Sequence, residues 1–312
     1  MLLWRLAQLP LILLAIYAIT FSLAWLIPGN PLEHEGRRPP PEVMEAMAAR
    51  YHLDDPVAFS ADYLWHASGM AWLSGDRSGP VFDLGPSLRH ENWTVNEILA
   101  SQLPVSMTLG ITAILLALAI GLTAGVLGAV RKGTWIDRAT FLLAITGISV
   151  PSFVVGMALL VIFAVWLRWF PVGGWGDLRH LALPALALSL PFAAYIARLT
   201  RMGMIEQLRS DHVRTARAKG LPERAVVLRH ALKNAFLPVL SYLGPATAAA
   251  MTGSFVVEKV FAVPGIGTHF VDAVLGKDIT LIMGVVLVYS TLLISFNLAV
   301  DVMYRWADPR IA

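Results

Sequence analysis

At 312 residues, 57% of them hydrophobic and only 14% charged, the chain is too apolar for a soluble globular protein. Its formal charge of +3 is too small to imply a nucleic-acid partner, and the absence of cysteine excludes disulfides, zinc–thiolate sites and iron–sulfur clusters. The apolar residues fall in blocks of about 20–30, the length that crosses a hydrocarbon core of about 30 Å, so a single all-α integral membrane bundle is expected over residues 1–312.

The first block, "LPLILLAIYAITFSLAWLI", predicts a span over 9–27. A cleaved signal peptide is the competing reading, but the run is long and no small-x-small cleavage site follows it. Residues 28–104, rich in Asp, Glu, Pro and Trp, read as an extracytoplasmic segment. Within it Pro41 is placed as a first-turn proline, with helix formers continuing to Asp54–Pro56. Thr94 and Glu97 are spaced as a capping box, so a short interfacial helix should feed the next span at Pro104. Trp65, Trp72 and Trp93 suit the headgroup level. The segment reads equally as a lid on the bundle or as a docking surface for a soluble partner. His34, His52, His66 and His90 are scattered through it without the H-E-x-x-H spacing of a metal site, and solvated surface is the better reading of each.

Five further spans are expected, at 105–130, 139–165, 181–199, 237–260 and 281–303, which makes six. Gly121 and Gly125 form G-x-x-x-G in the second, with Gly128 a turn further on, a spacing that lets helices approach closely. Pro151 and Pro191 interrupt the third and fourth, and the fifth carries Gly244, Pro245 and Gly253. A proline inside a helix removes a backbone bond and kinks it. Such kinks suit a bundle that moves or lines a path, and they are equally ordinary among membrane proteins.

No ionisable residue lies near the middle of any span; Arg198, Glu258, Lys259 and Asp301 fall near ends. An ion-coupled carrier keeps a buried ionisable group despite a cost of about 2.5–3.5 kcal/mol, so a secondary transporter is disfavoured. "GAVRKGT" at 128–134 has the lysine on the wrong side of the glycine for a phosphate loop, and no strand precedes it. No nucleophile with a positioned base can be assembled, so the chain is not read as an enzyme. Any driving energy must come from another chain. Tyr195, Ser241, Tyr242 and Asn297 are polar candidates for a pathway, but packing explains them equally, and the substrate path stays unassigned.

Lysine and arginine orient the bundle. The loop "RKGTWIDR" holds three basic residues in eight, and the stretch from Arg198 to Lys233 holds nine more. Arg5, Arg305 and Arg310 sit at the termini. Both ends are therefore expected in the cytoplasm, with residues 28–104 outside.

The fourth span continues as "RLTRMGMIEQLRSDHVRTARAK", helical in composition as far as Gly220, a natural C-terminal glycine. Leu221, Pro222 and Glu223 then open a second helix to Phe236, in which Ala225, Leu228, Leu232 and Ala235 share a face. Glu223, Arg224, Arg229 and Lys233 point elsewhere. A basic segment can simply rest on anionic lipid. Lipid, however, requires neither the glycine punctuation nor the second amphipathic helix, so a protein partner is the favoured reading of loop 200–236.

This loop resembles the cytoplasmic coupling loop of ABC-importer permeases, whose pattern is E-A-A, three residues, G, nine residues, I-x-L-P. Arg214, Thr215 and Ala216 occupy the E-A-A positions, Gly220 matches the glycine, and His230–Ala231–Leu232–Lys233 stand at I-x-L-P, so the glutamate and the proline are replaced. The variant "RTARAKGLPERAVVLRHALKNAFLPVL" is closer to the oligopeptide and dipeptide branch, and most like its B-type membrane subunit. So are "PPEVMEAMAARYHLDDP", "TGISVPSFVVG", "GGW", "ARLTRMGMIE", "GPATAAAMTGSFVVEKVFAVPGIG" and "ADPRI". The resemblance implies a six-helix permease fold in a bacterial cytoplasmic (inner) membrane. Its implied partners are a second permease subunit, two cytosolic ATPase subunits that bind ATP and magnesium, and an extracytoplasmic solute-binding protein. The chain itself would carry no cofactor. The coupling contact would fall on Arg214, Thr215, Ala216, Gly220, Leu221, Pro222, Glu223, Leu228, Arg229 and Leu232. Related systems move dipeptides, nickel chelates, glutathione or peptide antibiotics. A self-sufficient channel or carrier is the alternative class.

Overall fold

A computed structural model describes residues 2–32, 40–90, 92–251 and 254–307. His34, Gly253 and all but the first residue of "ADPRI" lie outside the described residues. The regular elements among the described residues are all helices, with one isolated bridge between Pro86 and Thr94 and no strand. The helices are α1 Leu2–Leu26, α2 Pro41–Arg50, α3 Pro56–Ala67, α4 Met70–Leu73, α5 Val95–Val130, α6 Trp135–Ser149 and α7 Ser152–Leu159. They continue as α8 Leu178–Gln207, α9 Asp211–Ala218, α10 Glu223–Ala225, α11 Leu232–Ala235, α12 Leu237–Met251, α13 Phe255–Val260, α14 Ile266–Leu275 and α15 Ile279–Ala307. Wider, π-type turns extend α7 through Leu160–Trp166 and join α10 to α11 through Val226–Ala231.

Among the described residues four helices are long and apolar enough to cross a membrane: α1, α5, α8 and α15. α6 and the α7 segment to Trp166 make a fifth if taken as one span, bent by 107° at Val150–Pro151. Pro151 has no N–H to give the preceding turn, so α6 ends and Pro151 becomes the residue that opens α7. The other expected kink sites behave differently. α8 is helical through both Pro184 and Pro191, and α12 through Gly244 and Pro245. At Gly244 an added methyl would meet Asn297 Oδ1 at 2.8 Å, so this glycine permits close approach of α12 to the latter part of α15. α12 has 15 residues, about 22 Å at helical rise, and Ser254 caps the separate α13 by accepting from Val257 N–H.

The chain divides into two compact units, Met1–Pro104 with Gly265–Leu292, and Val105–Pro264 with Leu293–Ala312. In the first, α3 packs on the latter half of α1. Rings stack from Tyr17 to Phe21 at 6.0 Å, Phe21 to Phe59 at 5.8 Å and Phe59 to Tyr63 at 6.2 Å. The Tyr17 hydroxyl donates to the Ser60 carbonyl at 3.2 Å. The expected helix after Pro41 ends at Arg50 rather than at Asp54, because the chain turns through a positive φ at His52. Asp55 then starts α3, its carboxylate accepting from Val57 and Ala58 N–H. The capping box forms as read: Thr94 N–H and Oγ1–H donate to Glu97 Oε2 at 2.8 and 2.9 Å, and Glu97 N–H donates back to Thr94 Oγ1 at 3.2 Å. α5 then runs unbroken through Pro104.

The same unit holds a buried carboxylate that sequence reading passed over. Asp278, fully buried, accepts from the Ser87 hydroxyl, from Leu88 and Arg89 N–H at 3.2 and 3.3 Å, and from Thr280 Oγ1–H and Leu281 N–H at 3.0 and 3.1 Å. One charge thus caps α15 and ties the 87–89 turn to it.

In the second unit Gly121 and Gly125 of α5 do what their spacing suggests. A methyl at Gly121 would come within 2.7 Å of the Ala193 carbonyl oxygen, and one at Gly125 within 2.6 Å of Thr200 Cβ, so α5 and α8 approach nearly backbone to backbone. Glu258, expected near the end of a span, is fully buried on α13 and accepts from the Ser106 hydroxyl at 2.8 Å.

Candidate functional site

Loop 200–236 folds as a helical hairpin with a core of its own. The reading of a single helix to Gly220 is corrected here: α8 stops at Gln207, and Ser210 precedes a new helix, α9. Ser210 is engaged locally, its hydroxyl donating to the Gln207 carbonyl at 2.5 Å, and Ser210–Asp211 is the kind of pair that opens a helix. α9 closes as the sequence predicts. Gly220 takes φ +76°, and Leu221 N–H bonds back to the Ala216 carbonyl. Nothing lies within 4 Å of where a Gly220 side chain would start, so backbone conformation alone calls for glycine there.

Pro222 then precedes Glu223 and the returning segment. The expected face of Ala225, Leu228, Leu232 and Ala235 is corrected too. The wide turn over Val226–Ala231 places more residues per turn than an α-helix, so the inward face is Val226, Val227, Ala231 and Ala235. These pack with Met204 and Val213, both fully buried, with Ala216, and with Ala129 of α5. Leu228 is turned outward, 46% exposed. At Gly203 an added methyl would sit 2.9 Å from the Ala235 carbonyl oxygen, so the hairpin is pressed against α8 itself.

Polar contacts hold the two arms. Arg217 donates to Glu223 twice, Nη2 to Oε1 at 2.6 Å and Nε to Oε2 at 3.1 Å. The pair keeps the Glu223 carboxyl below the usual carboxylate range and raises Arg217. His212 Nε2 lies 3.2 Å from the His230 carbonyl oxygen. Arg214 pairs with Asp211 at 3.2 Å in full solvent, and Thr215 Oγ1–H donates to the Asp211 carbonyl.

The expected coupling residues therefore separate by what they touch. Ala216 is buried inside the hairpin, Leu232 is half-buried, and Gly220 and Pro222 shape the bend. Arg214, Thr215, Leu221, Glu223, Leu228 and Arg229 are exposed, with Arg224 beside them. What sequence reading missed is the set that makes the hairpin rigid: Val213, Arg217, Val226 and Val227. Val213 and Ala216 had a visible i, i+3 signal; the Arg217–Glu223 pairing across a bend had none.

An ion pair stands at the start of α6. Arg201 grips Asp137 with Nε to Oδ1 at 2.6 Å and Nη2 to Oδ2 at 3.0 Å, while Gly133 N–H donates to Asp137 Oδ2 at 2.9 Å. Of the pathway candidates, the Tyr195 and Tyr242 rings meet at a 36° tilt with centroids 4.4 Å apart, and Asn297 faces Gly244. Among the described residues no three His, Asp or Glu side chains gather as a metal site.

Several helices of membrane-crossing length with a compact helical hairpin after α8 suit the class of multi-pass membrane permeases. Residues 117–312 match the family described as binding-protein-dependent transport system inner membrane component, and the chain belongs to that family. Over 301 residues it is 44% identical to the oligopeptide transport system permease protein OppB of Escherichia coli (strain K12), covering 96% of this chain and 94% of that one. It is 41% identical over 299 residues to the dipeptide transport system permease protein DppB of Bacillus subtilis (strain 168), with 96% and 93% covered. With DppB of Lactococcus lactis subsp. cremoris (strain MG1363) it shares 37% over 307 residues.

Proposed function

We propose that this chain is the permease subunit of an ATP-driven peptide importer, and that its 200–236 hairpin is the lever through which a partner ATPase moves the bundle. The observation that carries the reading is the division of the hairpin into a fully packed inner face and an outer face of Leu221, Arg224, Leu228 and Arg229. Apolar residues beside basic ones, on a backbone fixed by its own core, suit a groove in a soluble protein. Relatives of both oligopeptide and dipeptide type support peptides as cargo.

In this reading six spans cross a bacterial inner membrane, with α6 and the α7 segment as one span and α12 with α13 as another. Both termini and the hairpin face the cytoplasm, and residues 28–104 face outward. A second permease subunit completes the path, two ATPases bind ATP and magnesium, and a solute-binding protein delivers cargo. The chain binds no cofactor and performs no hydrolysis. ATP-driven closure of the ATPases would shift the hairpin, and its contact through Gly203 and Ala129 would pass that shift to α8 and α5.

The test uses the assembled complex carrying Gly220→Pro or Arg229→Glu. Peptide-stimulated ATP hydrolysis and uptake should both fall at least tenfold while the subunits still copurify. Normal coupling in both variants would remove the lever role. Peptide transport by this chain alone in empty liposomes would replace the reading with a self-sufficient carrier.

A further inference from the structure

Between α5, α6 and α8 lies a cavity of about 390 Å³ that the lever does not use. Its walls are apolar: Ala124, Ala144, Ile145, Ile148 and Met202 are among the residues lining it. Along α6 it reaches from Thr140 to Ile148, about 12 Å at helical rise. Such a slot is narrow, long and greasy, and suits a hydrocarbon chain better than a compact solute.

Two arginines also line it, and they differ. Arg201 is spent on Asp137, as described above. Arg198 is exposed, and among the described residues no carboxylate pairs with it. The surrounding surface adds charge of the same sign. Across 131–138 and 198–201 there are five basic residues, Arg131, Lys132, Arg138, Arg198 and Arg201, against the single acid Asp137. Trp135, 76% exposed, stands at the mouth end of α6, where an indole suits the headgroup layer.

We propose that this cavity is a site for one anionic phospholipid of the inner leaflet, an acyl chain lying along α6 and the phosphate seated on Arg198. The apolar wall holds the chain, and the Arg198 guanidinium, to which the basic 131–138 stretch at the start of α6 adds charge of the same sign, selects a negative headgroup over a zwitterionic one. Because Gly125 both lines the cavity and forms the close contact of α5 with α8, an occupying chain would brace that contact during transport. The proposal rests on the cytoplasmic placement of the 131–138 loop given above.

The test is native mass spectrometry of the whole complex, released from nanodiscs containing equal phosphatidylglycerol and phosphatidylcholine. The wild-type complex should retain phosphatidylglycerol at least fivefold over phosphatidylcholine. Arg198→Gln should bring the ratio to about one, Arg198→Lys should keep it, and Ala144→Phe should expel the retained lipid without loss of subunits. Equal retention of both lipids by the wild type, or an unchanged ratio in Arg198→Gln, would overturn the site. A photo-cross-linker at Ile148 that captures a protein subunit instead of lipid would overturn it too. Sidedness is read separately, by labelling Lys132→Cys in sealed vesicles: reaction from outside would refute the orientation while leaving the lipid ratios to stand or fall alone.

Discussion

Arg217 and Glu223 meet across the Gly220 bend in a two-point ion pair, 2.6 and 3.1 Å long, that joins the end of α9 to the start of the returning helix. Both side chains are about half exposed, so the pair adds little to global stability, about 0–1 kcal/mol. Its effect is on the bend.

Arg217→Ala should therefore leave overall unfolding almost unchanged while amide exchange at 218–225 quickens. Because the Glu223 carboxyl lies below its ordinary value in the folded protein, the pair's contribution is complete at neutral pH. It fades as pH falls through about 4 and below, where the unfolded chain takes up the proton first. Exchange measured at pH 7 and pH 3.5 should show weaker protection of the bend at the lower pH, and a bend equally protected at both would contradict this.

Gly125→Ala should destabilise the permease by about 1–3 kcal/mol, since the new methyl would press on Thr200 Cβ and the Ala197 carbonyl oxygen. Gly133→Ala has open space and a left-handed φ of +81°, so only backbone strain of about 1–2 kcal/mol applies. Thermal unfolding in detergent checks both. A Gly125→Leu protein as stable as the parent would refute the close approach of α5 and α8.

Removing the Asp278 carboxylate leaves the Ser87 hydroxyl and the Leu88 and Leu281 N–H groups without an acceptor in a buried site, while Thr280 keeps the Pro86 carbonyl. Asp278→Ala should open the 84–90 turn to limited proteolysis while cleavage in the 200–236 hairpin stays unchanged. Asp278→Asn, which keeps one carbonyl oxygen, should be intermediate. The expected loss is about 3–5 kcal/mol for the alanine variant.

His90 and His269 face each other edge to plane with ring centroids 5.6 Å apart, and one nitrogen of each ring is buried without a hydrogen-bond partner. Burial, then the neighbouring His90, push His269 below the usual histidine value, against a smaller pull from Asp272. The folded protein thus resists protonation that the unfolded chain accepts. Stability is complete above about pH 6.5 and falls as the pH drops through that value toward the folded one. The thermal midpoint should decline between pH 7.5 and pH 5.5, and His269→Gln should flatten that slope. A slope unchanged in the variant would clear the pair of any part in it.

Local chemistry made a good part of this visible beforehand. The Thr94–Glu97 box, the Gly220 ending and the G-x-x-x-G face each depend on residues within one or two turns, so spacing alone exposes them. The Ser210 break was also written locally, but a run of helix-forming residues on either side masked it.

By itself the sequence determined that the chain is a helical membrane protein with a helical pair punctuated at Gly220, because hydrophobic length and turn residues act over short stretches of chain. Only the tertiary structure decided that Ser106 meets Glu258, 152 residues away, and that Ser87 meets Asp278, 191 residues away. It also decided that a widened turn sends Leu228 outward. A buried carboxylate chooses whichever donors the packed helices bring to it, and no periodicity along the chain encodes that choice.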